Sequence, residues 1–124
     1  MRGEPRVLVV DDDPDIATML VRALSPRGFV LETAASADEA LRLASIQHFD
    51  AALVDLVMPG RDGKSLAAAL RERIPGIPIG LLTGYARSPL LESAERSGVA
   101  IFIKPVVIHE IEEFLRRELT PDHS

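Results

Sequence analysis

The sequence predicts an α/β fold on one five-stranded parallel sheet, and three observations predict it. Five short apolar runs alternate with segments of helical period. Four of the five runs carry almost no polar alternation, as strands covered on both faces do. Isolated polar residues follow directly on several runs, where a parallel sheet gathers its carboxyl ends.

In chain order, the first strand is Val7, Leu8, Val9 and Val10. Asp13 and Pro14 make an N-cap and first-turn pair, and Asp15 suits the dipole of the helix they open. Ile16, Met19, Leu20, Ala23 and Leu24 form its apolar stripe, with Gly28 as its terminator. The second strand, Phe29, Val30 and Leu31, runs into Glu32 and Thr33, which places it at or near a sheet edge. Ser36 caps a second helix with the stripe Ala37, Ala40, Leu41 and Ala44. Ala51, Ala52, Leu53 and Val54 are the third strand; Leu66, Ala69 and Leu70 mark a third helix, with Gly76 after it. Ile79, Gly80, Leu81 and Leu82 are the fourth strand; Leu90, Leu91 and Ala94 mark a shorter fourth helix before Gly98. Ile101, Phe102 and Ile103 are the fifth strand. Ile108, Ile111, Leu115 and Leu119 stripe the last helix, with Glu112, Glu113, Arg116 and Arg117 facing away. Right-handed crossovers turn this βαβαβαβαβα pattern into a doubly wound sheet with helices on both faces. The expected strand order is 2-1-3-4-5, a flavodoxin-like (βα)5 arrangement. Residues 1–124 read as a single domain with its core at about 5–119 and short polar tails.

Bulk composition narrows the function. Apolar residues make up 47% of the chain and charged ones 27%, within the globular class. The absence of cysteine excludes disulfides, thiolate metal sites and a cysteine nucleophile. A net charge of -5 argues against non-specific DNA binding. No uninterrupted apolar run is long enough to span a bilayer, and residues 1–5 carry no secretory pattern. A cytoplasmic location is expected from these absences.

Position carries the chemical argument. Asp11 and Asp12 end the first strand, Asp55 the third, Thr83 the fourth and Lys104 the fifth. In the order 2-1-3-4-5, strand order reverses between strands one and three, so the three carboxylates meet at the ligand-binding crevice. Packed together they repel, and without a cation one of them holds a proton. Oxygen-only ligands favour magnesium, manganese or calcium over zinc. Two or three protein ligands leave waters and an open position, which suits magnesium with a phosphate substrate, manganese being the alternative. Thr83 offers a hydroxyl donor and Lys104 a point positive charge. Nucleophile, metal, hydroxyl and cation together make a phosphoryl-transfer set. Each residue alone has a plainer explanation: Asp55 a strand end, Thr83 a turn residue, Lys104 a solvated amine. The joint placement at four strand ends is what raises the set above them. Asp13 and Asp15 are assigned to the helix. His48, His109 and His123 show no metal-ligand spacing and read as surface residues.

On these residues the chain resembles the receiver domains of two-component signalling. The matching pieces are Val9-Val10-Asp11-Asp12-Asp13-Pro14, the stretch from Val54-Asp55 through Val57-Met58-Pro59-Gly60 to Asp62-Gly63, then Leu82-Thr83-Gly84-Tyr85 and Lys104-Pro105. They occur in order and at the family's spacing. The resemblance implies that Asp55 is the phosphoacceptor. It implies that Asp12, Asp55 and the Val57 backbone carbonyl ligate Mg2+, with Asp11 acting through water. Thr83 and Lys104 then bind phosphoryl oxygens, the Lys104–Pro105 bond is cis, and the Met58-Pro59 turn and Gly63 shape the loop after the acceptor. The implied donor is a histidine kinase or histidine phosphotransfer protein. The implied output is a downstream protein bound through the fourth helix, fifth strand and fifth helix, without direct DNA or membrane contact. Such a chain is a self-phosphorylating acceptor, not a turnover enzyme.

Two departures bear on the output. Receivers usually carry Phe or Tyr three residues before the strand-five lysine; here that position is Ile101. Tyr85, two residues after Thr83, is the candidate replacement, as in a single-domain subgroup with a Thr-Gly-Tyr signature, or else a plain loop aromatic. Val106 replaces the usual aromatic after the Lys-Pro pair. Apolar Val57 and bulky Tyr85 should border the phosphoryl group and slow its hydrolysis. Three other functions compete. A stand-alone regulator or phosphorelay intermediate is favoured over a module of a larger hybrid kinase or regulator. An aspartyl-nucleophile phosphatase would place an acid where Val57 stands, and a degenerate receiver would lack part of the set Asp12, Asp55, Thr83 and Lys104.

Overall fold

The computed structural model describes residues 3–84 and 99–119. Its elements are β1 (Arg6–Val10), α1 (Pro14–Leu24), β2 (Val30–Ala34), α2 (Ala37–Ile46), β3 (Ala51–Asp55), α3 (Gly63–Arg73), β4 (Ile79–Thr83), β5 (Ala100–Ile103) and α4 (Ile108–Leu119), with a 3-10 turn at Ser25–Arg27. The sheet is parallel throughout, in the order β2-β1-β3-β4-β5. This is the α/β architecture expected from the alternating runs. The fourth helix pattern at Leu90, Leu91 and Ala94, with Gly98 and Tyr85, lies outside the described residues.

Strand alternation builds two apolar layers. Val7, Val9, Leu53, Leu82 and Phe102 face α1 and α4, meeting Leu20, Leu24, Ile111 and Leu115. Leu8, Val10, Ala52, Val54 and Leu81 face α2 and α3, meeting Ala40, Leu66 and Leu70. β3 and β4 are buried along their whole length, which is why their sequences show no polar alternation. β2 and β5 are the two edge strands, and both are only partly buried. The fifth run is therefore not covered on both faces as its unbroken apolar sequence suggested.

Local chemistry sets most boundaries. Asp13 caps α1, accepting the Asp15 N–H at 2.9 Å, and Ser36 caps α2, accepting the Glu39 N–H at 3.1 Å. Three details differ from the sequence reading. Gly28 ends not α1 but the 3-10 turn, with φ 99°, because Pro26 has no N–H to continue the helix. Met19 is exposed and Ala17 takes its inward place on α1. Glu112 turns towards the α1 end of the molecule: its carboxylate accepts from Arg27 Nε at 3.0 Å and from Arg116 Nε at 2.9 Å.

Candidate functional site

The site forms where four strands stop. Beyond β1, Asp11 keeps to the sheet, its N–H donating to the Ala34 carbonyl at 3.1 Å. Its side chain is therefore carried into the crevice, and Asp11 is buried. Asp12, one step on, is exposed. Asp55 is the last residue of β3 and Thr83 the last of β4, both buried. Lys104 follows β5, and its N–H donates to the Thr83 carbonyl at 2.7 Å, so strand pairing places the amine and the hydroxyl on neighbouring strand ends. The Lys104–Pro105 bond is cis.

Asp11 has both oxygens engaged. Oδ1 accepts the Asp13 N–H at 2.9 Å and Oδ2 accepts Lys104 Nζ at 3.1 Å. Lys104 Nζ also lies 3.4 Å from Asp55 Oδ1, so one amine bridges two strand-end acids. The Val57 N–H reaches the same Asp55 oxygen at 3.4 Å, and the Val57 side chain is exposed at the mouth. Oxygens of Asp11, Asp12 and Asp55 lie within 4.8 Å of one another.

Electrostatics follow from that crowding. Burial and then the Asp11 charge push the Asp55 carboxyl up to about 6, against the opposing pull of Lys104. Burial draws the Lys104 ammonium down, but its hydrogen bond to Asp11 and the charges of Asp55 and Asp11 outweigh it, and the net shift is upward. One cation does not neutralise three acids. The all-oxygen donor set and the excess negative charge fit a hard divalent ion.

The sequence profile of the response regulator receiver domain matches residues 7–116. The chain belongs to the response regulator receiver family. It is 39% identical over 110 residues to the transcriptional regulatory protein PrrA of Mycobacterium tuberculosis, covering 86% of this chain and 46% of that protein. It is 36% identical over 101 residues to the transcriptional regulatory protein GlrR of Escherichia coli, covering 81% of this chain and 23% of that one. The chain thus spans about half the length, or less, of these curated relatives. Among solved structures it is similar to the chemotaxis protein CheY4 of Vibrio cholerae, with 30% identity and a TM-score of 0.85, covering 94% of this chain and 100% of that one. It is equally similar to a CheY-like receiver domain from Methanospirillum hungatei, with 30% identity, a TM-score of 0.87 and 94% of each chain covered.

For this receiver the structure brings Asp11, Asp12, Asp55 and Lys104 together and sets Thr83 on the adjoining strand end. Ile101, at the position of the family's usual ring, is half-buried and packs on the α2/α3 layer. Tyr85 lies outside the described residues, as does His123. His48 and His109 are exposed, beside Asp50 and Glu113. The sequence reading did not foresee that Asp11 anchors Lys104; the two are 93 positions apart and no local pattern marks the pair. Among the described residues, no helix is long and apolar enough to cross a membrane.

Proposed function

We propose that this receiver takes a phosphoryl group onto Asp55 from the phosphohistidine of a histidine kinase or histidine phosphotransfer protein, and that the change alters partner binding. The observation that carries this is the position of Asp55. Its carboxylate stands in the oxygen cluster, 3.4 Å from the only ammonium among the described site residues. Asp12, Asp55 and the Val57 carbonyl would hold magnesium, with Asp11 acting through water. The ion supplies positive charge against the phosphoryl oxygens when bound.

In the transfer, an Asp55 oxygen forms the new O–P bond while the P–N bond of phosphohistidine breaks and the imidazole leaves with the electron pair. Lys104, already between Asp11 and Asp55, follows the new negative charge on the phosphoryl oxygens. Thr83 donates its hydroxyl to one of them. Displacement at Thr83 passes into residues 84–88 and, with Tyr85 and Ile101, biases the output surface between two arrangements. The chain ends the reaction modified, as a signalling module does. Asp55→Asn is expected to abolish labelling by a small phosphodonor in magnesium; persistent labelling moves the acceptor elsewhere. A phosphotransfer profile against purified histidine kinases then identifies the donor.

A further inference from the structure

We infer that Phe102 is a positioning residue for Lys104: its ring, seated in the notch left by Gly80, holds the edge strand β5 where the amine reaches Asp11 and Asp55. Its bearing on phosphoryl transfer rests on Asp55 being the acceptor. β5 has four residues and, among the described residues, pairs only with β4. Ala100 and Ile101 are half-buried and Ile103 is exposed, so Phe102 is the one buried residue of the strand. Lys104 stands two residues on, about 7 Å along an extended chain. Its N–H donates to the Thr83 carbonyl at 2.7 Å, so the amine goes where the end of β5 goes.

Glycine inside a strand weakens it, and where it persists it marks a close approach. β4 is buried along its whole length, yet Gly80 is its second residue. A Cβ built there would lie 2.7 Å from Phe102 Cε2 and 3.1 Å from both Phe102 Cδ2 and Leu53 Cδ2. Gly80 is not among the positive-φ glycines, so glycine stands here for space. The Phe102 ring takes the place a β4 side chain would fill. The same ring meets Phe114 of α4 edge to face, with centroids 5.4 Å apart and planes at 69°. β5 is thereby fastened to both β4 and α4 through one side chain. Lys104 Nζ is 3.1 Å from Asp11 and 3.4 Å from Asp55. Such bonds run to about 3.2 Å, so a shift of β5 by about 1 Å breaks them. The Lys104 side chain is only 21% exposed, which leaves its stem little slack to follow.

The test uses the full chain with Phe102→Leu, Gly80→Ala, the two combined, and Leu24→Ala as a control. Leu24 is fully buried in the same apolar layer but belongs to α1. Lys64 and Lys104 are the only lysines, so proton–nitrogen NMR reads the Lys104 ammonium directly, assigned with Lys64→Arg. In metal-free native protein that ammonium should exchange slowly with water. Phe102→Leu removes the ring and Gly80→Ala drives it from the notch. Each should shift the Lys104 signal or lose it to exchange. Each should also lower the maximal labelling rate with phosphoramidate about tenfold or more, within the roughly 10²-fold that a misplacement of about 1 Å costs. The combined variant gives β4 a methyl group and takes bulk from β5, nearly conserving volume, and should recover the signal and most of the rate. Leu24→Ala should lower the urea midpoint at least as far as Phe102→Leu does, yet keep signal and rate. Added to Lys104→Met, Phe102→Leu should slow labelling no further, because both act through the amine. A native Lys104 ammonium that exchanges like free lysine overturns the inference. So does a folded Phe102→Leu with native signal and rate, or a combined variant no better than the single ones. Equal losses in Leu24→Ala, or a further loss on top of Lys104→Met, overturn it too. A Phe102→Leu that fails to fold where Leu24→Ala folds does the same, since the ring would then hold the whole fold. Labelling of Asp55→Asn would instead remove the acceptor reading, while the Lys104 signal, which needs no phosphoryl transfer, would still decide the placement.

Discussion

At the scale of single residues, one amine does two jobs. Lys104 neutralises the fully buried Asp11 side chain and stands beside Asp55. Removing it takes away the cation that pairs with this buried carboxylate and leaves it the hydrogen bond from the Asp13 N–H. Lys104→Met should therefore destabilise the metal-free chain by about 2–3 kcal/mol, and millimolar Mg2+ should recover part of the loss in urea melts. Asp55 gives a second prediction, with the opposite sign. Its carboxyl is raised from 3.8 to about 6 in the fold. Between those values the unfolded chain ionises and the folded chain does not. The stability of the metal-free protein thus falls as pH rises through that window, and the penalty is complete above it. Asp55→Asn should raise the urea midpoint at pH 8, and the gain should shrink as pH falls from 6 towards 4. A constant gain over that range would show that Asp55 carries no such penalty. The acids and the amine were legible in the sequence because each follows an apolar run. The Asp11–Lys104 pair was not, since side-chain pairing across strands leaves no spacing to read.

At the scale of elements, strands were the more legible and helix ends the less. Three strands, β1, β3 and β4, are buried on both faces or nearly so, and an unbroken apolar run is the direct imprint of that burial. The equally apolar run of β5 misled, because that strand is at a sheet edge and only Phe102 in it is buried. Caps were also readable, because Asp13-Pro14 and Ser36 act on their own next few residues. What escaped was tertiary. Met19 fits a helical stripe by spacing, yet the inward position goes to the smaller Ala17. Glu112 reads as solvent-facing on α4 but bridges to Arg27 after α1, while Arg116 donates to the Arg27 carbonyl at 2.9 Å and stacks over Phe29 at 5.4 Å. That network ties the last helix to the turn after the first. The Arg116 hydrogen bond, with desolvation opposing it and the Arg116 and Arg27 charges assisting, holds the Glu112 carboxyl below its ordinary value. Glu112→Gln should lower the urea midpoint in low salt, and the difference from the native chain should narrow in 1 M salt. Equal differences at both salt levels would mean that packing, not charge, holds α4 there.

At the scale of the whole molecule, the sheet brings together acids that destabilise the fold they belong to. Two apolar layers lock β1 and β3 side by side, and the strand ends cannot separate to relieve the repulsion of Asp11 and Asp55. The fold therefore stores an unfavourable charge arrangement that a proton on Asp55 or a divalent ion relieves. These two remedies compete for the same carboxylate. Mg2+ should stabilise the chain by mass action, about 2.7 kcal/mol at a hundred times its dissociation constant. That gain should be full at pH 8 and should fall as pH drops through about 6, the Asp55 value, because the metal must then displace a proton. Thermal melts over a magnesium series at pH 5 and pH 8 measure it. In Asp55→Asn the magnesium effect should be weaker at pH 8 and should lose the pH step near 6. A magnesium effect of equal size at both pH values in the native chain would place the ion away from Asp55, and with it the acid cluster as the metal centre.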